Sequence, residues 1–260
     1  MNKSLCDVLF MSEKRKQVLL LLQDGAKEMG YLLESLDTTR QALLPQMKIL
    51  EEHYLIDHYK DTYELTTIGK LVVDQMAPLI YAIETFDVDI DYWGTHDIDF
   101  IPPHLLKRLK KLKNCKIVNP SITELYSLHK SFHEQKNTES VYKVTNFLYP
   151  EYRTIFNELI ESNVTTNYIV SKQLLEKIKT EHHEDFSFFI KTGLFKLYVY
   201  NNELNFLFFT FDDFHMIISL LRTNGNFDSK FILCSTRDAL KWGKELFEYY
   251  LKDSTPITEI

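Results

Sequence analysis

The chain has 260 residues, 45% of them hydrophobic and 26% charged, with 18 Phe and 15 Tyr. That balance excludes a disordered protein, and the length suits two domains of the usual ~100–200 residues. Seven glycines, no two closer than five residues, exclude the G-x-G-x-x-G fingerprint and the Walker A loop, which need clustered glycines so that backbone can approach phosphate. The formal charge of −7 argues against a protein that coats nucleic acid indiscriminately, but not against one whose cations are concentrated in one place. No apolar run reaches the ~18–20 residues of a membrane span, and no secretory leader is visible. Cys6, Cys115 and Cys234 are odd in number and widely spaced, so neither a disulfide framework nor a zinc cluster is expected. These features predict a cytoplasmic protein with no membrane association.

Ser12 is a plausible N-cap for a first helix reaching about Gln23, with Val18, Leu19, Leu21 and Leu22 as its apolar face, and Asp24-Gly25 stops it. A short helix from about Lys27 to Leu36 follows. Asp37-Thr38-Thr39 makes a turn, and Thr39 is a plausible N-cap for a third helix reaching about His53, with Leu43, Met47 and Leu50 at i, i+4, i+7 as its buried stripe. The period then changes. Ile56–Tyr59 and Thr62–Leu65 read as strands joined by Lys60-Asp61, a small hairpin. Helix, helix, turn, helix, hairpin is the winged helix-turn-helix plan, in which the third helix enters the major groove and the hairpin tip touches the DNA backbone.

With Leu43 inward, Gln41, Pro45 and Lys48 point away, flanked by Thr38 and Leu44. Arg and Gln suit bidentate base contacts, and Lys suits phosphate. The candidate DNA-contacting residues are therefore Thr38, Thr39, Arg40, Gln41, Leu44, Pro45 and Lys48, with Lys60 at the hairpin tip. An ordinary solvated helix face explains the same pattern. Residues 1–80 carry nine basic and twelve acidic side chains, a net of −3, and Leu44-Pro45 places apolar atoms among the reading groups. Pro45 also removes one helical hydrogen bond, so a kink or a shortened first turn is expected.

The stretches Leu20–Gly25, Gln41–Glu52 (QALLPQMKILEE) and Tyr63–Gly69 (YELTTIG) resemble ArsR-type winged helices. They are more similar to the archaeal regulators grouped with the methanogenesis regulatory protein, in which an L-P-x-x-K-x-L-E helix and an L-T-x-x-G exit recur. The resemblance implies that Arg40, Gln41, Leu44, Pro45 and Lys48 match groove-facing positions. His53-Tyr54 departs from it, since a Gly would commonly end the recognition helix.

Thr67 to Ile83 predicts a fourth helix, either a dimer element for reading two half-sites or a helix packed on its own domain. Asp87-x-Asp89-x-Asp91 fails as an EF-hand, because Tyr92 and Ile98 stand where Gly and Glu are required. Tyr92–Pro102 is similar to the F-W-x-x-H-D-L-x-x-I-P linker of the same family, which implies a hinge. Pro102-Pro103 begins a helix carrying Leu105, Leu106, Leu109 and Leu112, with Lys107, Arg108, Lys110, Lys111, Lys113 and nearby Lys116 on its other side. That basic run suits DNA phosphates, an acidic ligand, a membrane surface or simple solvation.

From Cys115 onward, strands and helices alternate. Lys116–Val118, Val141–Tyr149 and Val164–Val170 read as strands, and Ile122–Gln135, Glu151–Glu161 and Lys172–Thr180 as helices. Strand-like runs follow at Phe186–Ile190, Leu194–Tyr200, Leu204–Phe209 and His215–Leu221. Asn201-Asn202 and Asn224-Gly225 suit hairpin turns, and Thr236 caps a last helix to Lys252. Leu220–Asp228 and Ala239–Tyr250 are similar to the family's L-x-x-D-G-x-Y-D and A-x-x-W-G-x-E-L-F-x-Y-Y close, which implies a sensor-like C-terminal domain. The element order also resembles the phospholipase-D-like half of TrmB-type sugar regulators. Its H-x-K-x-x-x-x-D chemistry is missing, since the one H-x-K, His58-Tyr59-Lys60, has Leu65 where Asp is needed. His129 and His133 have metal-ligand spacing, and His182-His183-Glu184-Asp185 could add ligands, but H-E-x-x-H is absent and solvated histidines explain the pattern.

The expectation is a multidomain α+β chain: a winged helix at 1–82, a linker and basic helix at 83–114, and an α/β sensor and dimerisation domain at 115–260 that ends in an antiparallel meander and a long helix. The function expected is DNA-binding transcriptional regulation by a homodimer on double-stranded DNA, with no enzymatic activity, cofactor or metal. Its effector is unknown, and Trp93 and His96 are pocket candidates. The alternative is a winged-helix interaction module that does not read DNA.

Overall fold

The computed structural model describes residues 4–121 and 138–260. The predicted helix Ile122–Gln135, with His129 and His133, lies outside the described residues. The chain divides into two compact units, Met1–Tyr81 and Ala82–Ile260.

In the first unit, α1 (Leu5–Phe10) and α2 (Glu13–Leu21) precede β1 (Lys27–Glu28), α3 (Met29–Ser35) and α4 (Arg40–Glu52). Then come β2 (Ile56–Tyr59), β3 (Thr62–Leu65) and α5 (Thr67–Phe86), which runs past the boundary between the units. Ser12 and Thr39 cap α2 and α4 as their sequence positions predict. Leu43, Met47 and Leu50 all face the core, together with Val18, Leu19, Met29 and Leu32. Pro45 sits inside α4 without ending it. α1 was not expected, nor was β1, which pairs antiparallel with β3 to make a three-stranded sheet in the order β1-β3-β2.

Two backbone features fix how α4 leads into the hairpin and how the hairpin leads into α5. Tyr54 takes a left-handed φ of 56° while Leu55 N–H bonds back to Leu50 O at 3.0 Å, the closure that usually employs glycine. At the start of α5, Thr66 Oγ1 accepts from Gly69 N at 3.0 Å. A Cβ on Gly69 would lie 1.9 Å from Leu55 O, so only glycine lets the helix pass this carbonyl.

The second unit is built on an eight-stranded sheet in the order β11-β7-β6-β5-β8-β9-β10-β4. The strands are β4 (Lys116–Val118), β5 (Ser140–Thr145), β6 (Thr165–Val170), β7 (Phe195–Tyr200), β8 (Phe208–Phe211), β9 (Met216–Ser219), β10 (Phe231–Cys234) and β11 (Ser254–Ile257). β5, β6 and β7 are mutually parallel, and every other pairing is antiparallel. One face packs on α8 (Tyr152–Glu161), α9 (Lys172–Glu181) and α10 (His183–Lys191) through Phe156, Leu175, Phe186 and Phe189. The other packs on α11 (Arg237–Lys252) through Trp242, Leu246, Phe247 and Tyr250. A Cβ on Gly243 would come within 2.5 Å of Met216 Sδ, so the Trp-Gly pair of the closing motif is the contact point of helix and sheet.

Several expectations are corrected. Phe186–Ile190, read as strand, lies in α10, where Glu184 and Asp185 occupy the first turn and favour a helix start. Asn201-Asn202 does not turn a hairpin, because β7 pairs with β6 and β11 while β8 pairs with β5 and β9. The basic run does not form one helix: α7 (Pro103–Leu106) stops and a 3-10 turn covers Leu109–Leu112. Cys115 and Cys234, expected to be unpaired, form a disulfide, because pairing of β4 with β10 brings the chain on either side together. The segment 83–114 is no free linker either. α6 (Ile90–Thr95) and the residues after it put Tyr92, Trp93, Phe100, Ile101, Leu105 and Leu109 into the core of the second unit.

The two family-like segments of this unit meet. Asp97 N bonds to Leu221 O and Thr223 N to Thr95 O, both at 2.9 Å, and buried Asp228 accepts from Arg222 at 2.6 Å with His96 Nε2 3.3 Å away. Burial pushes the Asp228 carboxyl up, but the Lys230 N–H and the Arg222 guanidinium more than offset this and hold it below the usual carboxylate range.

Two predictions follow from these contacts. Tyr54 is 73% exposed, so Tyr54→Gly loses little packing and relieves the left-handed backbone. It should stabilise the first unit by about 1 kcal/mol, read from the midpoint of its denaturant transition. The depressed Asp228 value means that its stabilisation is complete above the unfolded-chain value of about 4 and is lost as pH falls through the folded value. Asp228→Asn should therefore cost about 2 kcal/mol at neutral pH and leave a flatter acid-unfolding curve.

Candidate nucleic-acid interface

The outer face of α4 is solvent-facing along its length: Arg40, Gln41, Leu44, Pro45 and Lys48 are exposed. Their direction follows from the burial of Leu43, Met47 and Leu50, since residues on the opposite side of a 3.6-residue period must point out. Pro45 also leaves the Gln41 carbonyl without its helical donor, so the exposed face offers an acceptor as well as side chains. Lys48 reaches towards Glu52 at 3.9 Å, with both side chains largely exposed, an association that water screens heavily.

Two of the predicted residues are already engaged. Thr39 Oγ1 accepts from Ala42 N as the helix cap. Thr38 Oγ1 accepts from Lys14 Nζ at 2.8 Å, which brings a cation from α2 to the N-terminal end of α4. Lys14 stands in the run Ser-Glu-Lys-Arg-Lys, and the excess of cations there was the available signal.

Arg40 forms a two-pronged ion pair with Asp61, at 2.5 and 3.2 Å, and the pairing holds the guanidinium firmly protonated. The hairpin tip is thereby tied to the first turn of α4. Lys60, at φ 55°, is fully out at the tip with its ammonium 5.4 Å from the Tyr59 ring. His58 lies 2.7 Å from Glu51 and stacks on Tyr63. Gln41, Lys48 and Lys60 are thus the predicted contact residues whose polar groups remain open to a ligand, while Arg40 is shared with a carboxylate.

α4 is held from behind by Arg15, a residue singled out by no sequence signal. Its guanidinium is buried and donates to Val8 O at 2.6 Å, Asp7 O at 3.1 Å and Gln46 Oε1 at 2.7 Å. Ser12 Oγ also donates to Gln46. One cation therefore joins α1, α2 and α4.

The remaining candidates fall in the second unit. Trp93 and His96 are buried in its core. His96 stacks on Tyr92 with ring centroids 4.0 Å apart, and its Nδ1 lies 2.6 Å from Tyr92 O. In the basic run, Arg108 pairs with Glu245 and Lys111 with Asp238 at 2.7 Å, so both are spent on α11. Asp89, from the failed calcium pattern, caps α6 and lies 3.3 Å from Lys230. Among the described residues no group of three or more His, Cys, Asp or Glu is placed to hold a metal ion, and no helix is long and apolar enough to cross a membrane.

Residues 3–84 match the family model for the N-terminal domain of methanogenesis regulatory protein FilR1, and residues 102–253 match the model for its middle domain. The chain is 24% identical over 264 residues to the methanogenesis regulatory protein FilR1 of Methanothrix harundinacea (strain 6Ac), covering 97% of this chain and 58% of that protein, so it spans less than two thirds of that relative's length. Among solved structures it is similar to TrmBL2, described as an archaeal chromatin protein with a novel mode of DNA binding, at TM-score 0.44 and 13% identity over 95% of each chain. It is also similar to phosphatidylserine synthase of Haemophilus influenzae Rd KW20, at TM-score 0.42 and 12% identity over 56% of this chain and 40% of the other. With both units matched in order and together accounting for most of its length, the chain belongs to the methanogenesis regulatory protein FilR1 family.

Proposed function

We propose that this protein is a DNA-binding transcriptional regulator whose helix α4 enters the major groove. The observation that carries the reading is the outward face of α4, where Gln41 and Lys48 stand exposed above a core-facing Leu43–Met47–Leu50 stripe. In this reading Gln41 contacts a base edge, Lys48 and Lys60 contact phosphates, and Thr38 and Thr39 border the same end of the helix. Leu44 and Pro45 supply apolar contact, for which a thymine methyl is the natural partner. Arg40 joins them only when it leaves Asp61. The relative's name supports a regulatory role, and the second unit is read as the part that responds to an effector.

An active dimer fits the need for two half-sites. Ile68, Leu71 and Leu79 lie exposed on α5, and the reading assigns them to contact with a second copy. The double variant Leu71→Glu/Leu79→Glu should sediment as a monomer at concentrations where the parent is a dimer. Parent and variant sedimenting alike would remove α5 from the interface.

The second reading, a winged-helix interaction module, draws on the net charge of −3 over residues 1–80 and on the engagement of Arg40 by Asp61. Fluorescence anisotropy on a duplex from the protein's own upstream region, with random competitor and 50 to 300 mM salt, separates the two. The regulator should survive competitor and lose affinity with a log–log slope of several ions, and Gln41→Ala/Lys48→Ala should abolish the preference. Asp61→Asn, which frees Arg40, should tighten binding and steepen the slope by about one ion. Binding no tighter than to random DNA, there and on a pooled genomic library, favours the interaction module.

A further inference from the structure

The basic run of the second unit lies beside the first half of α11. Leu105, Leu109 and Leu112 share a core with Ala239, Trp242 and Leu246, and Trp242 Nε1 donates to Leu105 O at 3.1 Å. The charged residues between those leucines are thereby turned outward, next to the outer face of α11. Leu105–Lys116 and Arg237–Glu245 together carry nine bases and two acids, in a chain whose formal charge is −7. Folding gathers onto one surface a positive charge that the net value conceals.

Both acids are already engaged. Asp238 accepts from Lys111 Nζ at 2.7 Å, and Glu245 takes a two-pronged contact from Arg108. Lys111, with Lys241 and Lys110 nearby, holds the Asp238 carboxyl below the usual carboxylate range; Arg108, with His104 and Lys111, does the same for Glu245. Lys107, Lys116, Arg237, Lys241 and Lys244 are exposed, and among the described residues the ion pairs on this face involve none of them. Arg237, Lys241 and Lys244 stand at i, i+4 and i+7, an outward stripe roughly 10 Å long. Further along, with Glu248 and Lys252, α11 turns neutral.

We propose that this face binds the phosphate backbone of double-stranded DNA without reading its sequence. Charge density selects the partner. A duplex carries one negative charge per ~1.7 Å of its axis, so a stripe of this length meets several phosphates at once. Lysine predominates on the face, and its ammonium serves phosphate as a point charge, where base reading favours the planar fork of arginine. Among the described residues no large hydrophobic side chain is exposed on either stretch. The face therefore lacks the apolar anchor of a membrane-surface helix and the apolar centre of a protein interface. The inference rests on the reading of this chain as a DNA-binding protein, and adds to it a second contact surface whose contribution is the same on any sequence.

The test is the salt dependence of full-chain binding to the upstream duplex and to a random duplex. Lys107→Gln/Lys241→Gln/Lys244→Gln should flatten the log–log slope by about two to three ions and weaken binding at least about tenfold at about 100 mM salt, equally on both duplexes. Lys172→Gln/Lys177→Gln/Lys179→Gln removes the same charge from α9, on the opposite face of the sheet, and should bind as the parent does. Gln41→Ala/Lys48→Ala should lose the sequence preference but only about one ion of slope, so failure at α4 and failure at this face are read separately. A patch variant with the parent's slope, a control that weakens as much as the patch variant, or a parent that binds no duplex would overturn the proposal. So would co-sedimentation with phosphatidylserine vesicles that needs the three lysines while the DNA slope does not, which assigns the face to a membrane surface.

Discussion

A buried cation must find acceptors, and in the first unit that requirement is met at one point. Among the described residues no carboxylate pairs with Arg15; it spends its donors on the carbonyls of Asp7 and Val8 and on the side chain of Gln46. A guanidinium's fixed fork cannot serve three acceptors unless they are held in place, so α1, α2 and α4 are fixed relative to one another by the geometry of a single side chain. The exposed face of α4 inherits its direction from that joint. Gln46 belongs to the same helix as Gln41 and Lys48, so the residue that anchors α4 inward and those that face outward are set by one helical period.

The second unit handles its own buried cation in the opposite way. Lys143 is placed by strand alternation on the α8 side of the sheet, while its neighbours Tyr142 and Val144 face the α11 side. Among the described residues no carboxylate meets its ammonium, which lies against the rings of Phe208 and Tyr168. On the α11 side two large aromatic side chains are anchored by their polar ends: Trp242 Nε1 donates to Leu105 O at 3.1 Å and the Tyr250 hydroxyl to Phe100 O at 2.7 Å.

Local signals were legible where local chemistry decides the structure. The Thr39 cap, the Leu43–Met47–Leu50 stripe and the hairpin around Lys60-Asp61 are written in neighbouring residues, and each folds as its pattern implies. What stayed hidden depends on residues far apart in the chain. β1 has two residues and is a strand only because β3 lies beside it. β11 contains Pro256 and survives as a strand because it occupies the sheet edge. The aromatic run at Phe186 mimics a buried strand, and its acidic first turn was the better guide. Arg40 looked free until the fold brought Asp61 to it. Lys143 is the instructive case: a lone Lys at an inward position of Ser-Val-Tyr-Lys-Val-Thr breaks the apolar alternation, and strand register alone decides which face of the sheet receives it.

The link between Cys115 and Cys234, 119 positions apart, turns most of the second unit into a closed covalent ring. A stretched chain would carry tension through the sulfur pair straight from the segment before β4 into the loop ahead of α11. The strands and helices within the ring would bear no load while that bond holds. Reduction would restore the long route and expose the whole sheet to the pull, so the redox state of one bond sets which part of this protein is mechanically in series with its ends.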